Sequence, residues 1–217
     1  RFLLSAILIA LACLVKLPSL YLGLPLLYLF YVKFGRTVLQ QRSSWVYGLL
    51  VLIPTFLWYY HAHQLFLNSG LTFGIWEYGT DKWGNWDLLV TWKFWHRVVY
   101  SSLAKTHLTR VGFLVFLLGL LLRRQTVQER VFDLWLLALV VYLVIVARGN
   151  LVHKYYQLPF LIPCVVFMGK TYARHFRFPS IKGGNHLSSI VLTLLLLIGL
   201  VGILHSSLKQ HLSLIHI

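Results

Sequence analysis

Long apolar segments separated by short basic connections run along almost the whole chain. They span residues 2–15, 19–32, 45–60, 111–122, 131–147, 155–169 and 188–204. Several are shorter than the roughly 20 residues that a membrane helix usually needs. Segments 2–15 and 19–32 are separated only by Lys16, Leu17 and Pro18, so they form either two short helices or one broken span. The pattern predicts an all-α fold, a polytopic transmembrane helical bundle of about six to seven membrane helices.

Composition supports the same class. Hydrophobic residues make up 59% of the chain and charged residues 12%, and the mean hydropathy is +0.74. The net charge of +15 would suggest nucleic acid in a soluble protein, but here the basic residues mostly lie between apolar segments. We therefore expect membrane lipids as partners and no nucleic acid. Cys13 and Cys164 each lie inside an apolar segment, which favours neither a disulfide framework nor a metal site.

The distribution of Lys and Arg predicts the orientation. One set of connections contains Lys33, Arg36, Arg42, Arg123, Arg124, Arg130, Lys170, Arg174, Arg177 and Lys182. The opposite short connections contain Lys16, Arg148 and Lys154. Basic connections stay in the cytoplasm. We therefore expect a multi-pass protein of the cytoplasmic (inner) membrane, with segment 61–107 and the stretch 150–163 together on the outer face.

Both ends of the chain depart from this pattern. Arg1 already lies in an apolar run, so we expect an upstream region in the same protein. Residues 212–217 look like the translation of a transposon-type sequencing adapter and are expected not to be native. The expected domain is a transmembrane fragment of residues 1–211 whose outer-face loop spans 61–107.

The outer segment 61–107 is too long and too patterned for a passive connector. It contains five of the eight tryptophans: Trp76, Trp83, Trp86, Trp92 and Trp95. From Asp87, a plausible N-cap, apolar side chains recur at helical spacing at Leu88, Trp92, Trp95, Val99 and Leu103.

This periodicity predicts an amphipathic helix lying on the outer membrane surface. Two interpretations stay open. The rings either anchor the helix at the interface or also line a groove for a sugar or a lipid phosphate. In the second case Lys93 or Arg97 supplies the counter-charge.

The second outer feature is a polar cluster, His153-Lys154-Tyr155-Tyr156, between two apolar runs. Two ring hydroxyls, an imidazole and an ammonium group can together bind phosphate or sugar at the bilayer edge. The alternative is that the tyrosines only anchor the chain at the interface beside a solvated histidine.

Four motifs resemble, in this order, segments of one family. They are LACLVKLP at Leu11–Pro18, IPTFLWYYHA at Ile53–Ala62, DKWG at Asp81–Gly84 and HKYYQLP at His153–Pro159. The chain resembles the GT-C-class membrane glycosyltransferases over roughly residues 5–175. These enzymes are similar to protein mannosyltransferases and aminoarabinose transferases.

The resemblance implies transfer of a sugar from a polyprenyl-phosphate donor to an acceptor, which is a lipid, a protein or a glycan. It also implies an acidic catalytic residue on the first outer loop, and we expect that loop upstream of Arg1. The catalytic residue is therefore unknown, and this fragment is expected to be inactive alone. For this reaction, the candidate residues that bind the carrier phosphate or the sugar are Lys16, His153, Tyr155 and Tyr156. The candidate counter-charges for the leaving phosphate are Lys154, Arg148 and Lys82.

Two rival functions remain open. A transporter or flippase of lipid-linked sugars would bind the same carrier without chemistry, although transporters usually place polar helices at mid-membrane. A polymerase or ligase of surface polysaccharides would share both the carrier and the outer site. No metal site is predicted from His61-Ala62-His63, because residues at i and i+2 do not share a helix face. No cofactor is assigned, and a divalent metal stays open.

Overall fold

The computed structural model describes residues 1–70 and 82–175, together with Ile190, Val191, Leu194, Leu197, Ile198 and Val201. These residues form helices and short connections, and no strand occurs among them. The predicted all-α class is confirmed. Residues 71–81 of the predicted outer loop, most of the predicted segment 188–204 and all of residues 212–217 lie outside the described residues.

Three α-helices cover the apolar segments in the first part of the chain. Helix α1 spans Phe2–Val15, α2 spans Gly23–Phe34 and α3 spans Arg42–Ser69. Two 3₁₀ helices, Leu17–Leu22 and Gly35–Gln40, join them. Pro18 lies in the first turn of the 3₁₀ helix that follows α1, where its missing N–H costs no hydrogen bond.

The second part of the chain has shorter elements. Helices α4 (Trp86–Leu89) and α5 (Trp92–Trp95) precede a π-helix at His96–His107. Helices α6 (Thr109–Leu121), α7 (Arg130–Ile145) and α8 (Ala147–Val152) follow. A 3₁₀ helix at Lys154–Phe160 then leads into α9 (Leu161–His175).

The chain divides into two compact units, of which the first contains Arg1–Asn85 and Arg124–Gly149. In this unit α1 packs on α3, and α2 packs on α7. Ala6 and Cys13 of α1 are fully buried against Tyr47 and Val51 of α3. The Tyr47 ring meets Phe2 edge-on at 5.3 Å between centroids, so the core here is aromatic as well as aliphatic.

The second unit contains Trp86–Arg123 and Asn150–Ile217. Its described core is the seam between α6 and α9, where Gly119 allows the Phe167 backbone to approach closely. The fully buried Thr171 hydroxyl donates to the Val115 carbonyl at 2.9 Å, across the same seam. A small residue and an interhelical hydrogen bond are typical of helices that pack tightly in an apolar environment.

In the part of the chain that the structure describes, one helical segment is long and apolar enough to cross a membrane. It is Leu17–Gln40, which has 24 residues and contains an 18-residue stretch with a mean hydropathy of 1.3. Trp92–His107 and Thr109–Leu121 qualify together as a second candidate, but they are bent by 107° at their junction. Helix α1 is apolar and shorter. These observations support membrane association, while six to seven spans and an outward orientation stay predictions.

The predicted continuous amphipathic helix from Asp87 is wrong in two respects. Helix α4 begins at Trp86, so Asp87 lies inside its first turn and is not an N-cap. The chain then breaks at Val90 and Thr91, where the Thr91 hydroxyl donates to the Leu88 carbonyl at 2.7 Å. A threonine that binds a nearby carbonyl competes with the helical hydrogen-bond pattern.

The buried face of this segment also differs from the prediction. Phe94 and Val98 are 1% exposed, whereas Trp92, assigned to the apolar face, is 78% exposed. Trp92 and Phe94 lie in α5, which begins after the break at Val90 and Thr91, so spacing counted from Asp87 does not carry across to them. Within the π-helix the predicted Leu103 is buried, at 7% exposure. The exposed Trp92 and Trp86 remain consistent with interfacial anchoring.

Helix α3 continues past the predicted start of the outer loop. Residues 61–69 are helical, and the helix ends at Gly70, which has φ +70° and donates its N–H to the Phe66 carbonyl. Glycine adopts this left-handed conformation without the steric cost of a Cβ atom. His61 and His63 therefore lie within a helix, on different faces.

Candidate functional site

A cavity of about 410 Å³ lies in the second unit. Its described lining consists of Lys93, His96, Arg97, Ser101, Ser102, Asn150, Leu151 and Lys154. Ser102 and Asn150 are buried, 3% and 2% exposed, whereas the basic side chains are exposed. The cavity thus has a buried polar floor and a basic rim open to solvent.

One wall comes from α5 and the π-helix. Lys93, Arg97 and Ser101 follow one another at intervals of four residues, which places them on one side of the helical segment. Phe94 and Val98 lie on another face of the segment and are buried in the core of the unit. The buried Phe94 and Val98 hold the segment in place, and Lys93 and Arg97 line the cavity.

The other wall comes from α8 and the 3₁₀ helix Lys154–Phe160. Asn150 and Leu151 belong to α8, and Lys154 is the first residue of the 3₁₀ helix. Between them His153 has an extended backbone, with φ −111° and ψ 108°, which turns the chain. The Tyr156 N–H donates to the His153 carbonyl at 3.1 Å and closes this turn.

The charge of the lining has one sign. Lys93, Arg97 and Lys154 are cationic, His96 adds an imidazole, and none of the described lining residues is acidic. Clustered cations in a partly enclosed site raise the local concentration of anions. Lys and Arg donors also form short charge-assisted hydrogen bonds to phosphate and carboxylate. The arrangement can therefore hold an anion with several oxygen atoms.

An aromatic cluster adjoins Lys154 in sequence. The Tyr155 and Tyr156 rings meet edge-on at 4.8 Å between centroids, and the His153 ring lies 5.2 Å from Tyr155 and 5.4 Å from Tyr156. Tyr156 is 7% exposed and Tyr155 is 52% exposed. Tyr155 therefore exposes its ring to solvent or ligand, whereas Tyr156 is buried and shares a side-chain hydrogen bond with Tyr155.

The remaining predicted binding residues lie in the first unit. Burial and, to a smaller extent, the charge of Lys82 lower the pKa of Lys16 below its ordinary value. The Gly149 N–H donates to the Lys82 carbonyl at 3.2 Å, which brings Lys82 beside the backbone that follows Arg148. Lys16 and Lys82 thus lie close enough for their charges to interact, and Arg148 immediately precedes the residue that binds the Lys82 carbonyl.

The structure therefore brings together some of the predicted residues and not others. Lys93, Arg97 and Lys154 share the cavity, and His153, Tyr155 and Tyr156 form the cluster next to Lys154. Lys16, Lys82 and Arg148 belong to the first unit.

Sequence reasoning missed several polar residues of the cavity and its floor. They are His96, Ser101, Ser102, Asn150 and Gln157. The four-residue spacing of Lys93, Arg97 and Ser101 was a usable signal for Ser101. Asn150 and Gln157 flank the His-Lys-Tyr-Tyr cluster, but their burial depends on contacts that the sequence does not show.

Metal ligation has no structural support among the described residues. These residues contain no group of three or more His, Cys, Asp or Glu side chains placed to hold a metal ion.

Comparison with known proteins found no matching protein-family model, no matching curated protein and no matching solved structure.

Proposed function

We propose that this chain is part of a polytopic membrane glycosyltransferase and that its cavity binds the phosphate of a polyprenyl-phosphate sugar donor. The observation that carries the proposal is the convergence of Lys93, Arg97 and Lys154 on one cavity. These residues come from two distant parts of the sequence, and the sequence offered Lys93 or Arg97, and Lys154, as candidate counter-charges for a phosphate.

The surface of the helices supports a lipid environment. Large apolar side chains are exposed along α1, α3 and α6, among them Leu4 (60%), Phe56 (68%) and Leu121 (83%). Soluble proteins rarely expose contiguous apolar surface on this scale. We infer a multi-pass bundle of the inner membrane, with the cavity on the outer face.

The proposed chemistry is a displacement at the anomeric carbon of the donor sugar. An acceptor hydroxyl attacks this carbon, the bond from the carbon to the phosphate oxygen breaks, and polyprenyl phosphate leaves as an anion. A base takes the proton of the acceptor. Lys93, Arg97 and Lys154 would stabilise the charge that develops on the leaving phosphate.

The aromatic cluster suits the neighbouring part of such a donor. The exposed Tyr155 ring can stack on a sugar, and its hydroxyl can bind a sugar hydroxyl. No described acid lines the cavity, so the proposal assigns binding residues here and leaves the base to a part of the protein outside the described residues.

The first test measures headgroup recognition. Binding of decaprenyl phosphate to the chain in detergent micelles is compared with binding of decaprenol, which has the same tail and no phosphate. We expect a clear preference for the phosphate, which Arg97→Gln and Lys154→Gln each weaken about tenfold. Lys105→Gln, on the same π-helix and not among the lining residues, is the matched control.

The second test separates transfer from transport. In membranes that contain the complete protein, a transferase converts the labelled lipid-linked sugar into free polyprenyl phosphate and a labelled acceptor. A flippase moves the same lipid between leaflets and leaves the bond from sugar to phosphate intact. Movement of the labelled lipid between leaflets without cleavage would replace the transferase proposal by the transporter.

A further inference from the structure

A chain of buried hydrogen bonds runs beneath the cavity. The Ser102 hydroxyl donates to Gln157 Oε1 at 2.7 Å. Gln157 Nε2 donates to the Asn150 carbonyl at 2.6 Å and lies 3.2 Å from Asn150 Oδ1. Because a backbone carbonyl only accepts, the amide nitrogen of Gln157 must face Asn150, and its oxygen is left to accept from Ser102.

This chain connects three of the elements that contribute described lining residues: the π-helix, α8 and the 3₁₀ helix Lys154–Phe160. Ser102 belongs to the π-helix that carries Arg97, and Asn150 belongs to α8. Gln157 belongs to the same 3₁₀ helix as Lys154. One amide side chain therefore fixes the spacing between the two walls.

Burial makes these contacts costly to lose. Gln157 is 1% exposed, Asn150 is 2% exposed and Ser102 is 3% exposed. A buried donor or acceptor that loses its partner bears the full cost of desolvation, so the walls are held at the separation that keeps all three groups satisfied. Gln157 does not line the cavity among its described residues, whereas Ser102 and Asn150 do.

We propose that Gln157 is a positioning residue of the cavity, which holds the cations of the π-helix and Lys154 at the separation that one phosphate group requires. This inference rests on the proposed phosphate site. An anion binds tightly when its donors are already in place, because no rearrangement then opposes binding. Gln157 acts on affinity through the walls and does not touch the ligand.

The test uses two variants of Gln157 in the full 217-residue chain, with decaprenyl phosphate in detergent micelles as the probe. Gln157→Leu removes the side-chain hydrogen bonds to Ser102 and to Asn150. Gln157→Glu keeps the shape but turns a carboxylate oxygen towards the Asn150 carbonyl, and protonation of the new carboxyl restores a donor at low pH. We expect both to bind the probe about 5- to 10-fold more weakly at pH 8. Only Gln157→Glu should recover, relative to wild type, at pH 5.

The matched control is Thr171→Val. Thr171 is also fully buried and also donates a hydrogen bond between elements of the second unit, at the seam of α6 and α9. Its loss should lower the unfolding temperature by a similar amount and leave probe affinity unchanged. The control thus separates a positioning effect from general destabilisation.

The outcomes distinguish this inference from the proposed function. Weaker binding by the Gln157 variants, with recovery of Gln157→Glu at low pH, supports it. Wild-type affinity in both variants at pH 8 overturns the positioning role and leaves the phosphate site intact. Equal binding of decaprenyl phosphate and decaprenol to the wild type overturns the phosphate site, and the inference with it.

Discussion

The Nε2 atom of His107, near the end of the π-helix, lies 3.0 Å from the carbonyl oxygen of Lys154. A carbonyl can only accept, so this ring nitrogen must be the donor. The contact joins the two walls of the cavity a second time, close to the cation that the 3₁₀ helix contributes.

His107→Phe keeps the ring and removes the donor. We expect decaprenyl phosphate to bind about threefold more weakly, because one neutral hydrogen bond that positions Lys154 is lost. His107→Gln supplies a side-chain N–H and should restore most of the affinity. Titration of the micellar probe measures both variants. Equal affinities for wild type and His107→Phe would show that the contact does not position Lys154.

Gly119 sets the distance between α6 and α9. A Cβ atom at this position would overlap the Phe167 carbonyl and lie 2.9 Å from Thr171 Oγ1. Gly119→Ala should therefore lower the free energy of unfolding by about 2–3 kcal/mol, as overpacking does in other tightly packed interiors. Thermal unfolding in detergent measures the change.

Gly169→Ala is the matched control for this seam. Gly169 also lies in the second unit, in α9, and a Cβ atom there has open space around it. Alanine is the better helix former, so this variant should be neutral or stabilised by up to about 1 kcal/mol. Similar losses at both positions would contradict the close approach of α6 and α9.

Thr109 starts α6 with a left-handed backbone, φ +60°. This conformation is unfavourable for a β-branched residue, yet the Thr109 hydroxyl accepts from the Gly112 N–H at 3.2 Å. Asparagine adopts this left-handed conformation more readily than threonine and also carries a side-chain acceptor. Thr109→Asn should therefore raise the free energy of unfolding by about 1 kcal/mol.

Thr109→Val tests the other half of this account. This variant keeps the strained left-handed backbone and loses the hydroxyl that accepts from the Gly112 N–H. It should therefore lower the free energy of unfolding by about 1 kcal/mol. Unfolding temperatures of the two variants in the same detergent decide the matter. Shifts of the same sign would mean that strain and capping do not act separately at Thr109.

Lys16 links stability to pH. Burial first, and the charge of Lys82 second, lower its pKa below the ordinary value of 10.5. Just below pH 10.5 the folded state therefore binds fewer protons than the unfolded state, and stability rises with pH across the window between the two pKa values. Lys16→Gln should remove this rise and stabilise the protein at pH 7.

Unfolding temperatures of wild type and Lys16→Gln between pH 7 and pH 10.5 check this prediction. Other groups titrate in the same range, but they are present in both proteins and cancel in the difference. A difference that stays constant with pH would mean that Lys16 keeps its ordinary pKa in the folded state.

The limits of the continuous apolar runs predicted the helices better than the spacing of apolar residues did. Helix α1 begins and ends where segment 2–15 does, and α7 differs from segment 131–147 by one residue at its start and two at its end. A continuous apolar run needs only its limits to be recognised. To predict the buried face of residues 86–107, the break at Val90 and Thr91 and the π-helix must both be known. The sequence pattern indicated neither of them.

The site was predictable only in part for a similar reason. Charge distribution placed Lys93, Arg97 and Lys154 on one face, because cations mark the edges of apolar segments. Ser102, Asn150 and Gln157 gave no such signal. Their polar groups are buried because they satisfy one another, and that condition exists only in the folded chain.

The π-helix also gives the cavity an uneven sensitivity to chain length. Its wider turn accommodates about one residue more per turn than an α-helix does. If one residue between Arg97 and Ser102 is deleted and the turn winds as an α-helix, the larger rotation per residue, about 100°, offsets the missing residue. Arg97 on the rim and Ser102 on the floor would then keep their relative orientation. An inserted residue has no such compensation, because the turn is already wide, so at this place an insertion would be more damaging than a deletion.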